Sequence, residues 1–407
     1  MTGALKDIRV LDLSRVLAGP VCTQILGDLG ADIIKIEKPN EGDDTRHWGP
    51  PFLKDKDGND TTESAYYLSA NRNKKSIAVD IKTKEGQEII HKLLEKSDVL
   101  IQNFKKGGLE KYGLGFEKIK EKHPHIVYCS ITGFGQTGPL SSEPGYDYLA
   151  QAMGGLMAVT GEPNSDPMKA GVALSDFMTG LYATIGILSA LHARKENGKG
   201  QLVDLALLDC TLSSLTNLAQ YYLTSGSAAP RMGNAHSTIV PYHTFKASDG
   251  FIVLAIGNDG QFKKFCDFSG HPEWAENEKF LTNKARVLNR SELIPLIKEK
   301  IIGETSAYWI DGLRKVNVPC GPVNTIDKVF EMEQVQARKM EIEMDHNLSP
   351  ETIKLVGNPL KLSDTPAEYK NAPPVLGEHT EEILKNLLDH TDEEVAELLQ
   401  KEIVQKA

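Results

Sequence analysis

Between residues 8 and 131, short aliphatic and β-branched runs alternate with stretches of helical period. Ile8–Leu13 reads as a strand. Pro20–Leu29 reads as a helix, with Pro20 early in it and Gly30 at its end. Ile33–Glu37 and Ser76–Ile81 read as further strands. Lys84–Lys96 is helical, with Ile89, Ile90, Leu93 and Leu94 on one face. Val99–Phe104 and Ile126–Ile131 continue the strand series. Continuously apolar strands separated by helices predict βαβ units and a parallel sheet covered on both faces. Ligands of such sheets sit beyond the carboxyl ends of the strands.

The rhythm changes after residue 222. Val240–Ala247, then Ser248-Asp249-Gly250, then Phe251–Ile256 predicts an antiparallel hairpin. Helical patterns follow at Gln261–Phe268, Ser291–Ile302 and Ser306–Val316. Residues 223–325 thus read as a smaller α+β domain after a large domain over 1–222. Pro319, Gly321 and Pro322 mark its exit. Residues 326–407 read as a linker, with Pro373-Pro374 ahead of two helices over Leu376–Gln400. Thr391 and Glu394 form a capping-box pattern for the second helix.

Composition narrows the function classes. The 407 residues are 40% hydrophobic and 25% charged, which excludes a disordered chain or a rod. The net charge of −10 argues against a nucleic-acid binder, although local basic pockets for an anion remain open. The five cysteines, Cys22, Cys129, Cys210, Cys266 and Cys320, are widely spaced. They read as buried thiols in a reducing compartment, not as a disulfide frame or zinc site. The most apolar run, Leu181–Leu191, is too short to span a bilayer. No signal or transit pattern precedes Ile8, and the expected compartment is the cytoplasm.

Three places carry candidate chemistry. Gly133-Phe-Gly-Gln-Thr-Gly138 matches GxGxxG after a strand, but a dinucleotide fingerprint must open a helix directly. Pro139 and Pro144 make this a loop instead. Its glycines either let backbone N–H groups approach a reacting group or form a plain turn. Asp176 falls in or beside the first turn of an apolar helix carrying Phe177, Leu181, Ile185 and Leu188. Such an acid either satisfies the helix start or serves as a nucleophile. An ordinary carboxylate is ionised at neutral pH, and a helix start is expected to keep it so. Basic residues gather near strand ends: Lys38, Lys74, Lys75, Lys82, Lys105, Lys106 and Lys111, either a solvated face or a polyphosphate rim. His236, in a Gly/Asn loop, is the most prominent of eleven scattered histidines. No metal-ligand motif is visible.

At these residues the chain resembles the class III CoA-transferases (the CaiB/BaiF family), which include formyl-CoA and carnitine CoA-transferases. The resemblance runs nearly end to end. It covers Val10-Leu-Asp-Leu-Ser-Arg-Val-Leu-Ala-Gly-Pro20, Gly30-Ala-Asp-Ile-Ile-Lys-Ile-Glu37, Asn71-Arg-Asn-Lys-Lys-Ser76 and Gly145-Tyr-Asp147. It continues through Gln151-Ala-Met-Gly-Gly155, Asp176-Phe-Met-Thr-Gly180, Gly198-Lys-Gly-Gln201 and Leu376-Gly-Glu-His379. Gly42-Asp-Asp-Thr-Arg-His-Trp-Gly-Pro-Pro51 and Ile239-Val-Pro-Tyr-His-Thr-Phe245 look most like the succinyl-CoA:dicarboxylate branch.

The resemblance implies a Rossmann-like large domain built from both chain ends, a smaller α+β domain, and an interlocked homodimer. It implies CoA transfer from an acyl-CoA to a carboxylic acid through aspartyl anhydride and aspartyl-CoA thioester intermediates on Asp176. CoA enters as substrate, with no resident cofactor or metal. The implied CoA contacts are Leu17, Ala18, Lys38, Val79, Asp80, Ile81, Lys82, Asn103, Phe104, Lys105, Lys111, Tyr146 and Asp147. His236, Ser237 and Thr238 are expected to shape the acceptor pocket. Glycine-loop N–H groups are the candidate oxyanion donors. Two departures from formyl-CoA transferase matter: Lys38 replaces an Arg, and Pro144 replaces a Lys, so oxalate specificity is not expected. An α-methylacyl-CoA racemase shares the fold, but has His where this chain has Tyr146, and a phenol is a poor base at neutral pH. An NAD-dependent oxidoreductase and a non-catalytic acyl-CoA binder complete the alternatives.

Overall fold

The computed structural model describes residues 3–407. They form two compact units. The first takes residues up to Leu156 together with Lys169–Gln220 and Gln334–Ala407; the second takes Met157–Met168 and Tyr221–Glu333.

The first unit is built on a seven-stranded sheet. Its spatial order is Val404–Gln405, Lys74–Val79, Asp32–Glu37, Arg9–Asp12, Val99–Gln102, Val127–Thr132 and Leu202–Ala206. All neighbours pair parallel except Val404–Gln405, which lies antiparallel against Val79 and Ala78. The chain starts in the middle of the sheet. It grows to one side through residues 32–37 and 74–79, then restarts on the other side at Val99. That reversal leaves a crevice beyond the carboxyl end of Arg9–Asp12, the place where ligands enter open α/β sheets.

The strands are apolar on both faces because both are covered. Leu11, Ile34, Ile77 and Leu100 pack with Ile89, Ile90, Leu93 and Leu94 of the Lys84–Glu95 helix and with Ile383 and Leu384. Val10, Ile33, Val99, Ile101 and Val127 pack on the opposite face with Cys22, Leu26, Ala183 and Ile187. Two helices supply that second layer, Ala18–Asp28 and Leu174–Asn197.

The second helix is twice the length of the apolar run seen in the sequence. By length and composition it is sufficient to cross a bilayer. In this fold its packed face includes Ser175, Thr179 and Thr184 beside Ala183 and Ile187. Gly180 and Gly186 make the contact close. A Cβ at Gly180 would meet the Ala18 carbonyl at 2.7 Å, and one at Gly186 would meet Val203 at 2.7 Å. The Thr391/Glu394 capping box is formed. The terminal strand Val404–Gln405 and the strand Leu202–Ala206 had no separate signal in the hydrophobic pattern.

The second unit holds the hairpin Tyr242–Lys246 and Phe251–Ala255, antiparallel as expected from the pattern. Cys320–Pro322 adds a third strand where the prolines had suggested only an exit. Phe245, Ile252, Leu254, Phe265, Ile297 and Trp309 form its core. Trp309 Nε1 donates to the Ile301 carbonyl at 2.9 Å, so the buried indole has its partner.

Candidate active site

Asp176 sits in the first turn of the Leu174–Asn197 helix. Its surroundings are fixed from outside that helix. Asp147 Oδ1 accepts from the Ser175 N–H at 2.8 Å and from the Asp176 N–H at 3.3 Å. Asp147 Oδ2 accepts from Gln151 Nε2 at 2.7 Å, and Gln151 Oε1 accepts from the Ala170 N–H at 2.8 Å. Thr211 donates to Ser175 Oγ at 2.7 Å. Asp147 is therefore the group that satisfies the helix start, which leaves the Asp176 carboxyl facing a cavity.

The electrostatic consequence reverses the expectation drawn from the sequence. Burial, and then the Asp147 charge, push the Asp176 carboxyl up from 3.8 to about 7. The helix start does not hold Asp176 fully ionised, because burial disfavours its charge and Asp147, which occupies that position, adds repulsion. The nearby Tyr66 phenol is pushed up to about 12, by burial first and then by Asp176 and Asp147.

The cavity containing Asp176 has a volume of about 410 Å³. It lies beyond the strand ends of the first unit. Leu17, Ala18, Asn103 and Phe104 line it, as do Lys105, Lys111 and Tyr146. A second cavity of about 210 Å³ is lined by Lys38, Val79, Asp80, Ile81 and Lys82. Arg15, Asp44, Phe104 and Tyr112 line both. Apart from Asp147, the expected CoA residues thus divide between two adjoining cavities, one carrying the carboxylate and the other the β-strand rim.

Several expected roles change. Asp147 lines neither cavity and acts as the helix cap described above. Lys74 is wholly buried inside its strand, against Asp12 at 3.4 Å and the Pro20 carbonyl at 3.0 Å, so it is no part of a phosphate rim. Desolvation lowers its pKa to about 8. Lys75 pairs with Glu382 at 2.8 Å, and Lys38 pairs with Glu41. In the glycine loop, the Gly135 N–H donates to Thr132 Oγ1 at 2.8 Å and the Gln136 N–H to Asp204 at 3.1 Å. Those two amides are taken up and do not serve as oxyanion donors. Gly133 lines the cavity and abuts Gly145; a Cβ there would lie 2.5 Å from the Gly145 Cα. His236, Ser237 and Thr238 belong to the second unit, where Arg290 donates to the His236 carbonyl at 3.2 Å and the Ser237 carbonyl at 2.6 Å.

Sequence reasoning passed over Arg15, Trp48 and Tyr66. Arg15 and Trp48 line the larger cavity. Trp48 meets Tyr66 edge-on at 5.3 Å. Two of the three lie inside quoted motifs, so the signal was present without a role attached to it. Among the described residues, no group of three or more His, Cys, Asp or Glu side chains is placed to hold a metal ion.

A carboxylate facing a basic-rimmed double cavity agrees with the sequence comparisons. The model of CoA-transferase family III matches residues 5–380. The chain belongs to CoA-transferase family III. It is 45% identical over 400 residues to the succinyl-CoA:glutarate CoA-transferase of Homo sapiens, covering 98% of this chain and 90% of that protein. It is 44% identical over 383 residues to the succinate–glutarate CoA-transferase of Agrobacterium fabrum, covering 94% and 95%. A solved CaiB/BaiF family protein from Brucella suis superposes with a TM-score of 0.84 at 45% identity, covering 95% of this chain and all of that one. As a member of this family the protein is an enzyme that transfers CoA between acids, and CoA thioesters are its substrates.

Proposed function

We propose that this family III enzyme moves CoA from succinyl-CoA to a dicarboxylic acid, with glutarate the first acceptor to try, and that Asp176 is its nucleophile. The observation that carries the reading is Asp176 in the wall of the cavity formed by the Leu17–Ala18 and Asn103–Lys105 loops. The two relatives named for glutarate support the acceptor.

In this mechanism ionised Asp176 attacks the succinyl thioester carbonyl, the C–S bond breaks, and a mixed anhydride and CoA thiolate form. The thiolate attacks the aspartyl carbonyl, releasing succinate and leaving an aspartyl-CoA thioester. The acceptor carboxylate attacks that carbonyl, expelling the thiolate again. The thiolate then takes the acceptor's acyl group and frees Asp176. Every step exchanges an acyl group between oxygen and sulfur. The protein's contribution is positioning and exclusion of water, which would otherwise hydrolyse the anhydride. Lys38, Lys82, Lys105 and Lys111 suit the phosphates of CoA. Val79, Asp80, Ile81, Asn103, Phe104 and Tyr146 complete the CoA wall. Phe177 and Ile185 are 46% and 58% exposed on the unpacked face of their helix, which suits an interlocked homodimer. Free thiols at all five cysteines suit the cytoplasm.

The test is incubation with succinyl-CoA and a panel of carboxylates, following new acyl-CoA by mass. Product should appear with glutarate, and hydroxylamine should trap an acyl group on Asp176. Exchange of an α-hydrogen with deuterated water in place of transfer would support the racemase reading instead.

A further inference from the structure

Ser14, Arg15 and Val16 leave the first strand and run between the two cavities. Val16 has φ of +70°, a backbone state that a β-branched residue rarely adopts. Such states persist where the surroundings over-determine them. Here the turn is held through consecutive backbone atoms. The Ser14 N–H donates to Asp12 Oδ1 at 2.8 Å, and its carbonyl accepts from Lys35 Nζ at 2.9 Å. The Arg15 N–H donates to Asn103 Oδ1 at 3.0 Å, and its carbonyl accepts from Asn103 Nδ2 at 2.6 Å. The Val16 N–H donates to Asp43 Oδ1 at 3.1 Å. Asp43 is itself buried, with its other oxygen on Lys35 Nζ at 2.9 Å. Immediately after the turn, Leu17 caps and Ala18 begins the helix Ala18–Asp28, and both residues line the larger cavity. The Ala18 carbonyl lies against Gly180, one turn beyond Asp176.

We propose that Asn103 and Asp43 are positioning residues: they hold the strained Val16 turn, and the turn sets where Leu17 and Ala18 stand relative to Asp176. Asn103 gives Oδ1 and one Nδ2 proton to the Arg15 backbone while its position lines the larger cavity, so its amide serves the turn. This deepens the transferase reading and rests on it for the activity readout. Asp43 is the poorer residue to change, since Lys35 would become a buried unpaired charge.

The experiment compares Asn103→Ala, Val16→Gly and the double variant. It measures exchange of isotopically labelled succinate into succinyl-CoA, which needs no second acid, together with thermal unfolding. Asn103→Ala should lower kcat for exchange by about tenfold to a hundredfold while KM for succinyl-CoA changes less than about threefold. Val16→Gly should lower kcat with Tm within about 2 °C of the wild type, because glycine accepts the turn without strain. The double variant should lose no more than about the worse single one, because both changes act on one turn. Should Asn103→Ala not fold, Asn103→Asp carries the same kcat-against-KM split. A raised KM with unchanged kcat, or fully additive losses, would overturn the proposal. If the wild-type enzyme shows no exchange, it is the transferase reading that falls. The turn is then judged on the Tm loss of Asn103→Ala in each background: a smaller loss in the Val16→Gly background supports it, and an equal loss overturns it.

Discussion

Asp176→Asn separates what this residue does for chemistry from what it costs the fold. Burial and Asp147 raise its carboxyl from 3.8 to about 7. A gap of about 3 pH units at ~1.4 kcal/mol each gives a ceiling of about 4 kcal/mol. The folded-state value lies above the unfolded one, so the fold prefers the protonated form. The penalty is absent below about pH 4, grows as the pH rises, and is complete above about 7. Asparagine has nearly the same shape and no charge. The variant should therefore unfold several degrees above the wild type at pH 8 and at the same temperature near pH 4. All other titrating groups are common to both proteins and cancel in the comparison. The same variant should lose at least about a thousandfold in CoA transfer, because an amide cannot form the anhydride. Calorimetry at the two pH values, with the transfer assay alongside, reads both effects. An equal change in Tm at both pH values would refute the electrostatic argument, and retained turnover would refute the nucleophile.

Asp147→Asn removes the second cause of the raised pKa while leaving an oxygen for the Ser175 N–H; the acid limb of kcat/KM, expected near pH 7 in the wild type, should move down by roughly 1 unit, seen in a pH–rate profile. Gly180→Ala places a Cβ 2.7 Å from the Ala18 carbonyl, where backbone must shift; we expect a loss of about 1–3 kcal/mol in denaturant unfolding and a lower kcat, as the two helices flanking the cavity part. His91 stacks on His123 with their ring nitrogens 3.1 Å apart, and burial lowers its pKa from 6.5 to about 4. The fold favours neutral His91, so its contribution is present above pH 6.5 and lost as the pH falls toward 4. His91→Gln should flatten that acid loss by about 1 kcal/mol, allowing for the ring's partial exposure, in urea titrations at pH 7 and 4.5.

Strand and helix positions were legible because their causes lie within a few neighbours along the chain. Val10 and Leu11 fall in opposite core layers, as period-two alternation requires, and Ile89, Ile90, Leu93 and Leu94 fall in one. Asp176 stood out because it precedes an apolar helix. Apart from Asp147, the expected CoA residues line two cavities because they cluster at strand ends, and strand ends share one edge of a parallel sheet. The two-residue strand at Val404–Gln405 was not legible. Its only distinction is that Val79 stands opposite, more than 300 residues earlier.

The amino-acid order alone determined the central strands of the large sheet, the small-unit hairpin, the buried face of the Lys84–Glu95 helix and the loops at the sheet's rim, since side-chain period and turn chemistry act locally. Folding in three dimensions decided the protonation of Asp176, the burial of Lys74 and the hold of Asn103 on Arg15, 88 positions away. Desolvation and charge coupling depend on what lies within a few ångströms in space. Neither is a property of neighbours along the chain.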